Sequence, residues 1–261
     1  MQIYNISHES PLVHQRSPML YNGFMSIQDK AIIVTGAGSG IGRATALRFT
    51  RGGAHVVLFG RTREKLDAVT AQIRGEGNDA LAVVGDVARE EDVQALFART
   101  VEVYGRVDIL INCAGVVAVQ PFAEMSIETW DHVLAINLRG TFLCCQRAFR
   151  LMSQQGGGVI LNISSLSGIK GVEKFPGLSA YNVSKAGIAS LTEILAVEGK
   201  PYKIRVAAVS PGAVDTEMLR QAAPHLKADM TPDELAEILC FMADDSGRVL
   251  SGTNLEIFSN A

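Results

Sequence analysis

Residues 31–42 read Ala-Ile-Ile-Val-Thr-Gly-Ala-Gly-Ser-Gly-Ile-Gly, an apolar run followed directly by a glycine-rich turn. The run Ala31–Thr35 predicts a strand that is covered on both faces. The glycines let the backbone turn sharply and approach a pyrophosphate, whose charge meets the amides of the helix predicted at Ile41–Arg51. A strict Gly-x-Gly-x-x-Gly pattern does not fit, because Ile41 stands in its final position. The place of the turn between a strand and a helix nevertheless predicts a dinucleotide-binding unit.

Short apolar runs and longer amphipathic stretches alternate along the rest of the chain. This alternation predicts an α/β fold, a single-domain Rossmann-type doubly wound parallel sheet of about seven strands flanked by helices. Glycines stand where the predicted helices stop. The predicted strands are Ala31–Thr35, His55–Phe59, Leu81–Val84, Val107–Ile111, Val159–Ile163, Ile204–Val209 and Asn254–Ile257. The predicted helices include Ile41–Arg51, Glu64–Arg74, Glu90–Tyr104, Ile127–Met152 and Tyr181–Glu198.

The domain is expected to span residues 26–261. Residues 1–25 have no sustained periodicity and lack the basic start and long apolar centre of a secretory signal. We therefore expect a flexible N-terminal extension there. Because Met25 lies just before the first strand, a start assigned too early is the alternative interpretation.

Composition excludes several classes of protein. The formal charge of −3 gives no electrostatic footprint for nucleic acid, and no apolar run is long enough to span a bilayer, so neither nucleic acid nor membrane is an expected partner. Four cysteines have neither metal-ligand nor disulfide spacing, and we expect no metal site. Free thiols indicate a reducing, cytoplasmic compartment. The four are Cys113, Cys144, Cys145 and Cys240.

The end of the second strand indicates which dinucleotide binds. An acidic residue at this place would accept hydrogen bonds from the ribose 2′-hydroxyl of NAD and repel the 2′-phosphate of NADP. Gly60 removes that repulsion, and Arg61 offers a bidentate donor for a phosphate. Arg63 or Arg43 could add charge. NADP (NADPH) is therefore favoured and NAD stays possible, while the alternative is that Arg61 only solvates the strand end.

Tyr181 and Lys185 are four residues apart and share one face of a predicted helix. An ammonium near a phenol, together with oxidised nicotinamide, lowers the phenol's pKa from its usual value near 10. Tyr181 is therefore a candidate general acid for carbonyl reduction and general base for alcohol oxidation. Taken alone, such a pair is as readily explained as a surface contact on a helix.

Other motifs accompany the pair in a fixed order, and together they resemble the short-chain dehydrogenase/reductase family. The resemblance covers the chain from Asp29 to Ile257. The matching positions are Thr35, Gly36, Gly40 and Gly42 of a T-G-x-x-x-G-x-G loop, the pair Asp86-Val87, the turn Asn112-Cys113-Ala114-Gly115, Asn137, the strand end Asn162-Ile163-Ser164-Ser165, the Tyr181 to Lys185 stretch, and Ser210-Pro211-Gly212.

The resemblance implies a role for each matching residue. Ser165 would hydrogen-bond the substrate oxygen, Tyr181 would transfer a proton to it, and Lys185 would hold the nicotinamide ribose and tune Tyr181. Asn137 would support a water-linked proton path, or else only fix a break in its helix. Asp86 and Val87 would contact the adenine, although Asp86 could instead cap the following helix. The other implied cofactor contacts are Gly36, Ser39, Gly40, Ile41, Gly42, Arg61, Asn112, Ala114, Gly115, Pro211, Gly212 and Thr216.

The chain departs from the family pattern at several positions. The gap between Ser165 and Tyr181 is about three residues longer than usual, with Lys170 to Ser179 as the expected insertion. That leaves Ser164 or Ser167 as lesser candidates for the serine role. The remaining departures are Cys113 in place of the second Asn of an N-N-A-G turn, Ala207 in place of a strand Asn, and the ending Ser259-Asn260-Ala261 in place of Gly-Gly.

The function implied is an NAD(P)-dependent oxidoreductase that acts on a small-molecule carbonyl or secondary alcohol, such as a ketone, sugar or 3-oxoacyl group. A short lid over Ala213–Met230 is expected to cover the substrate. The resemblance also implies a homotetramer or homodimer built on the two long helices. The alternatives are a non-catalytic dinucleotide-binding redox sensor or scaffold, and an epimerase or dehydratase on the same fold.

Overall fold

The computed structural model describes residues 27–258, which form one seven-stranded sheet. The strands are β1 Ala31–Thr35, β2 His55–Gly60, β3 Ala80–Val84, β4 Ile109–Asn112, β5 Gly158–Ile163, β6 Ile204–Pro211 and β7 Asn254–Ile257. Their order is β3-β2-β1-β4-β5-β6-β7, and every neighbouring pair is parallel. The predicted doubly wound sheet is confirmed. The extension predicted at residues 1–25 and the ending Ser259-Asn260-Ala261 lie outside the described residues.

Six of the seven strands begin within a residue of their predicted starts, and β4 is the exception. It begins at Ile109 rather than at the predicted Val107. The side chain of Gln155 hydrogen-bonds both backbone groups of Val107. Its Oε1 accepts from the Val107 N–H at 3.3 Å, and its Nε2 donates to the Val107 carbonyl at 2.5 Å. A backbone bonded to a side chain in this way cannot continue the strand ladder.

The helices that cover the sheet end near the predicted glycines, but one long helix is not regular. The prediction of a single α-helix over Ile127–Met152 is wrong, because a π-helical turn at Ala135–Arg139 divides it. Such a turn inserts an extra residue and redirects a side chain, here Asn137. The helices are α1 Gly40–Arg51, α2 Arg63–Gly75, α3 Glu90–Tyr104, α4 Ile127–Leu134, α5 Gly140–Gln155, α6 Ser179–Gly199, α7 Glu217–Ala222 and α8 Pro232–Ala243.

Each face of the sheet has its own apolar layer. Alternate residues of a strand point to opposite faces, so Ile32 packs with α1, α2 and α8, whereas Ile33 packs with α3 and α5. Within residues 27–258, no helix has the length and apolar character that crossing a membrane requires.

The sheet topology fixes the place of a ligand. β1 lies between β2 and β4, so the chain leaves the carboxyl ends of β1 and β4 toward opposite faces of the sheet. A crevice opens where the winding reverses in this way, and ligands of doubly wound sheets bind there. The glycine-rich turn after β1 and the turn after β4 border this crevice.

Candidate active site

The turn after β1 lies directly on the turn after β4. Gly36 has a φ of +68°, and a Cβ at this position would lie 2.9 Å from the backbone of Ala114, so a side chain does not fit. The hydroxyl of Thr35 accepts hydrogen bonds from the amides of Cys113 and Ala114, both at 3.1 Å. Two motifs that are 78 residues apart in sequence therefore form one floor beneath the crevice.

The start of α1 presents backbone amides above this floor. Ser39 precedes the helix, but its side chain caps no amide, and the first turn contains no acidic residue. First-turn amides without a side-chain partner, at the positive end of a 12-residue helix, favour an anion. The glycines beside them leave room for close approach, so the residues present fit the pyrophosphate of a dinucleotide.

A cleft of about 450 Å³ runs from this helix start past the ends of β2 and β4. Its length along the sheet edge suits an extended ligand. In the described part of the chain, no group of three or more His, Cys, Asp and Glu side chains could hold a metal ion. The predicted cofactor residues that line the cleft are Gly36, Ser39, Gly40, Ile41, Gly42, Arg61, Asp86, Val87, Ala114, Gly115 and Thr216.

The end of the cleft beside β2 has Gly60 where an acidic residue would repel a 2′-phosphate, and Arg61 follows it. Arg61 is half-exposed, and its guanidinium lies 3.9 Å from the carboxylate of Asp86. Asp86 also accepts a hydrogen bond from the amide of Ala88 at 2.9 Å. Asp86 therefore closes a turn at the cleft wall and does not cap α3, whose N-cap residue is Arg89.

Sequence reasoning missed the second cation at this end, Lys65. It lines the cleft, and its ammonium lies 4.0 Å from the carboxylate of Glu217 in the lid. The suggested Arg43 instead donates to Gln72 Oε1 at 2.6 Å and faces a neighbouring hollow, and Arg63 does not line the cleft. Lys65 lies in the first turn of α2, where a Cβ on Gly38 of the glycine-rich turn would lie 3.0 Å from its Cβ, and no local sequence pattern indicates this contact.

The hydroxyls of Ser165 and Tyr181 meet where β5 ends and α6 begins. Ser165 precedes the 3₁₀ turn Leu166–Gly168, and its Oγ accepts from the amide of Ser167 at 3.2 Å. Burial raises the pKa of Tyr181 above its usual value of 10.0, and the hydrogen bond with Ser165 opposes this. The lowered pKa expected for Tyr181 is therefore not a property of the protein alone.

Lys185 lies buried beneath these two hydroxyls. Its Nζ donates to the carbonyl of Ile163 at 2.8 Å and lies 5.6 Å from the centre of the Tyr181 ring. Burial lowers the pKa of Lys185 from 10.5 to about 8. An amine with such a pKa exchanges its proton readily near neutral pH, which suits a proton path.

Asn137 lies in the π-helical turn, and its side chain links the loop after β4 with α6. Its side chain exchanges two hydrogen bonds with the backbone of Val116, at 2.8 and 2.9 Å, and donates to the hydroxyl of Ser184 at 3.0 Å. A Cβ on Gly115 would lie 3.4 Å from Asn137 Oδ1 and 3.7 Å from Lys185 Nζ. The cleft wall at Gly115 therefore adjoins the buried ammonium.

Some predicted residues are not brought to the cleft. The side chain of Asn112 is buried between β4 and β5, where it donates to Asn162 Oδ1 at 2.9 Å, so the structure does not place it against a cofactor. Pro211 ends β6 and Gly212 follows it, and neither lines the cleft. They lie near the serine turn, because the Ser164 amide donates to the Val209 carbonyl at 2.7 Å.

The three candidate serines are separated by their contacts. The hydroxyl of Ser164 is buried and donates to the carbonyl of Lys185 at 2.8 Å, so it faces the backbone of α6. Ser167 contributes its amide to Ser165. The hydroxyl of Ser165 lies close enough to that of Tyr181 to oppose the rise of its pKa, which favours Ser165 for the serine role.

The lid Ala213–Met230 contains α7, and an isolated bridge between Val214 and Met230 closes its two ends. Thr216 lines the cleft, and its hydroxyl caps α7 by accepting from the amide of Leu219 at 3.2 Å. Met218 of the same lid also lines the cleft.

Comparison with known proteins decides the family. The sequence model of the short chain dehydrogenases matches residues 30–227. The chain belongs to the short-chain dehydrogenase family. This short-chain dehydrogenase is 41% identical to an uncharacterized oxidoreductase of Thermotoga maritima over 211 residues, 81% of each chain. It is 37% identical to an NAD-dependent glycerol dehydrogenase of Listeria innocua over 253 residues, 92% of this chain and 97% of the relative.

A solved structure of similar fold comes from Brucella melitensis. It is a 3-ketoacyl-(acyl-carrier-protein) reductase complexed with NADH, 32% identical to this short-chain dehydrogenase. The match has a TM-score of 0.83 and covers 90% of this chain and 99% of the Brucella chain. The chain therefore has the fold of an oxidoreductase of this family along nearly its full described length.

Cys113 is the departure from the family pattern nearest to the site. Burial raises the pKa of its thiol from 9.0 to about 12, so it stays protonated and does not compensate the charge of Lys185. Its side chain hydrogen-bonds that of Thr45 in α1. The substitution therefore leaves a small, partly exposed thiol at the floor of the cleft.

Proposed function

We propose that this short-chain dehydrogenase is an NADP(H)-dependent oxidoreductase that interconverts a carbonyl and a secondary alcohol. The observation that carries the proposal is the meeting of the Ser165 and Tyr181 hydroxyls above the buried ammonium of Lys185, beside a cleft that fits a dinucleotide. The turn after β5 and the first turns of α6 bring these three side chains together.

Each residue has a distinct role in carbonyl reduction. When bound, the nicotinamide supplies the hydride that reaches the carbonyl carbon. Ser165 donates a hydrogen bond to the carbonyl oxygen and stabilises the charge that develops there. Tyr181 gives its proton to that oxygen, and in alcohol oxidation it removes the proton. Lys185 supplies positive charge beneath the phenol and a proton route, and Asn137 fixes the loop wall beside Lys185.

The proposal is tested by following nicotinamide absorbance with purified protein. The panel should hold ketones, sugars and 3-oxoacyl thioesters, the substrate classes that a short lid leaves open. The glycerol dehydrogenase and 3-ketoacyl reductase relatives support small polyols and 3-oxoacyl groups as the first compounds. Turnover with one class names the substrate class, and no turnover with any carbonyl or alcohol would count against an oxidoreductase.

The preference for NADP is proposed to depend on Arg61. We expect Arg61→Ala to weaken NADPH binding about 10-fold, because a charge-assisted phosphate contact is lost, and to change NADH binding less than about 3-fold. Titration of intrinsic fluorescence with each cofactor measures both constants. Arg63→Ala is the matched control, since Arg63 lies in the same segment outside the cleft lining. Equal losses for the two cofactors would defeat the assignment of Arg61 to the 2′-phosphate.

We also propose that the protein is a homodimer or homotetramer. Val183, Ile194 and Val197 are 47–69% exposed at helical spacing along α6, and Phe142 of the adjacent α5 is 44% exposed. An apolar stripe of this kind is usually covered by a second chain. Sedimentation equilibrium should give two or four times the chain mass of 28.0 kDa. A single-chain mass at micromolar concentration would contradict the assembly.

A further inference from the structure

The turn that presents Ser165 is bound by an ammonium from the inserted loop. Lys174 Nζ donates to three carbonyls of this turn and its exit, those of Leu166 at 3.4 Å, Ser167 at 2.8 Å and Ile169 at 2.5 Å. The Leu166 carbonyl also accepts from the amide of Ile169 at 3.0 Å, and carbonyls at the end of a helical turn carry partial negative charge. Lys174 therefore neutralises the carbonyl end of the turn that Ser165 precedes.

The opposite side of the same turn rests on α6. A Cβ on Gly168 would lie 2.5 Å from the amide nitrogen of Ala186 and 3.0 Å from Lys185 Cβ, so backbone touches backbone at this point. The Ser164 hydroxyl adds a hydrogen bond to the Lys185 carbonyl at 2.8 Å. The serine turn is thus held between the helix that carries Tyr181 and the ammonium of Lys174.

The inserted loop has its own anchor, so Lys174 extends from a fixed base. The amide of Gln120 donates to the carbonyl of Gly177 at 3.0 Å, and Val119 packs against Gly177. The hydroxyl of Ser179 contacts the sulfur of Met125 at 3.4 Å. Residues 119–125 therefore hold the far end of the insertion while Lys174 holds the near end.

We propose that Lys174 is a positioning residue that clamps the Leu166–Gly168 turn and so keeps the Ser165 hydroxyl against that of Tyr181. The inference rests on the proposed oxidoreductase function, because only that function gives Ser165 a task. Lys174 itself reaches backbone carbonyls and not the cleft lining, so its effect passes through Ser165. The longer gap between Ser165 and Tyr181 thereby supplies a supporting contact to the site, which the shorter gap usual in the family would not supply.

Kinetics with a double-mutant cycle test the clamp. We expect Lys174→Met to lower kcat for carbonyl reduction about 10-fold and to leave cofactor affinity unchanged, because Ser165 loses its place. Lys174→Arg, which still donates to carbonyls, should restore most of the rate. In a Ser165→Ala background, Lys174→Met should have an effect below about 2-fold. Lys170→Met is the matched control, an exposed lysine of the same loop without a hydrogen bond or ion pair to residues 27–258.

Hydrogen exchange gives a second readout that needs no substrate. The amides of Ser167, Gly168 and Ile169 are bonded within the turn, and Lys174→Met should speed their exchange several-fold while Lys170→Met does not. Unchanged exchange in Lys174→Met would overturn the clamp. If Lys174→Met lowered kcat as much in the Ser165→Ala background as in the wild type, Lys174 would not act through Ser165. A wild-type protein that reduces no carbonyl would instead defeat the proposed function, and the exchange result would still decide the clamp.

Discussion

Replacing Tyr181 with Phe should lower kcat/KM for carbonyl reduction on the order of 1,000-fold and leave the affinity for NADPH within about 2-fold of wild type. The change removes one oxygen, which is the atom that exchanges a proton with the substrate. The ring stays in place, so the walls of the site keep their shape. Steady-state kinetics and fluorescence titration of the cofactor measure the two quantities.

A matched control comes from Tyr104, a tyrosine that stacks on His55 at a ring distance of 5.1 Å, away from the cleft. Tyr104→Phe removes the same atom and should leave kcat/KM unchanged. If Tyr181→Phe kept more than a tenth of the wild-type rate, the phenol would not be the proton donor. If both variants lost activity together, the loss would reflect folding.

Replacing Lys185 with Met should lower activity by about 100-fold or more and at the same time stabilise the cofactor-free protein at pH 7. Activity falls because the positive charge beneath Tyr181 is lost. Stability rises because the ammonium is only 5% exposed, and its burial lowers the pKa of Lys185 to about 8. A shift of this size corresponds to a penalty of about 3 kcal/mol at neutral pH, and the variant regains only part of it because it also loses the bond to the Ile163 carbonyl.

The pH dependence of that stability difference has a definite sign. Between pH 8 and 10.5 the unfolded chain binds the lysine proton and the folded chain does not. The free energy of unfolding of the wild type therefore increases as pH rises through this range. The Met variant has no such group. Its advantage should therefore be largest below pH 8 and disappear toward pH 10.5. Urea unfolding of both proteins at several pH values measures this, and an advantage that is constant with pH would show that Lys185 is not buried as a charge.

The sequence predicts those features that depend on local pattern. Every strand and the glycine-rich turn were predictable, because continuous apolar runs and turn residues determine them locally. The Tyr181 and Lys185 pair was predictable from helical spacing, and Ser165 from its place at a strand end. The family resemblance put these separate stretches into one site.

Other features depend on contacts that join distant parts of the chain. The π-helical turn at Asn137 forms where its side chain meets Val116 and Ser184, which no local pattern reveals. The raised pKa of Tyr181 comes from burial, which sequence spacing does not measure. Lys174 is ordinary in sequence and acquires a role only because the insertion folds back onto the serine turn.

The most direct test of hydride transfer beside Tyr181 uses NADPH in which deuterium replaces both hydrogens at C4 of the nicotinamide. The wild-type protein is incubated with a carbonyl compound that it turns over, and mass spectrometry of the alcohol locates the label. We predict one deuterium on the carbinol carbon of each product molecule and an unlabelled hydroxyl after exchange with water. An alcohol that forms without deuterium on that carbon would contradict direct transfer in this site.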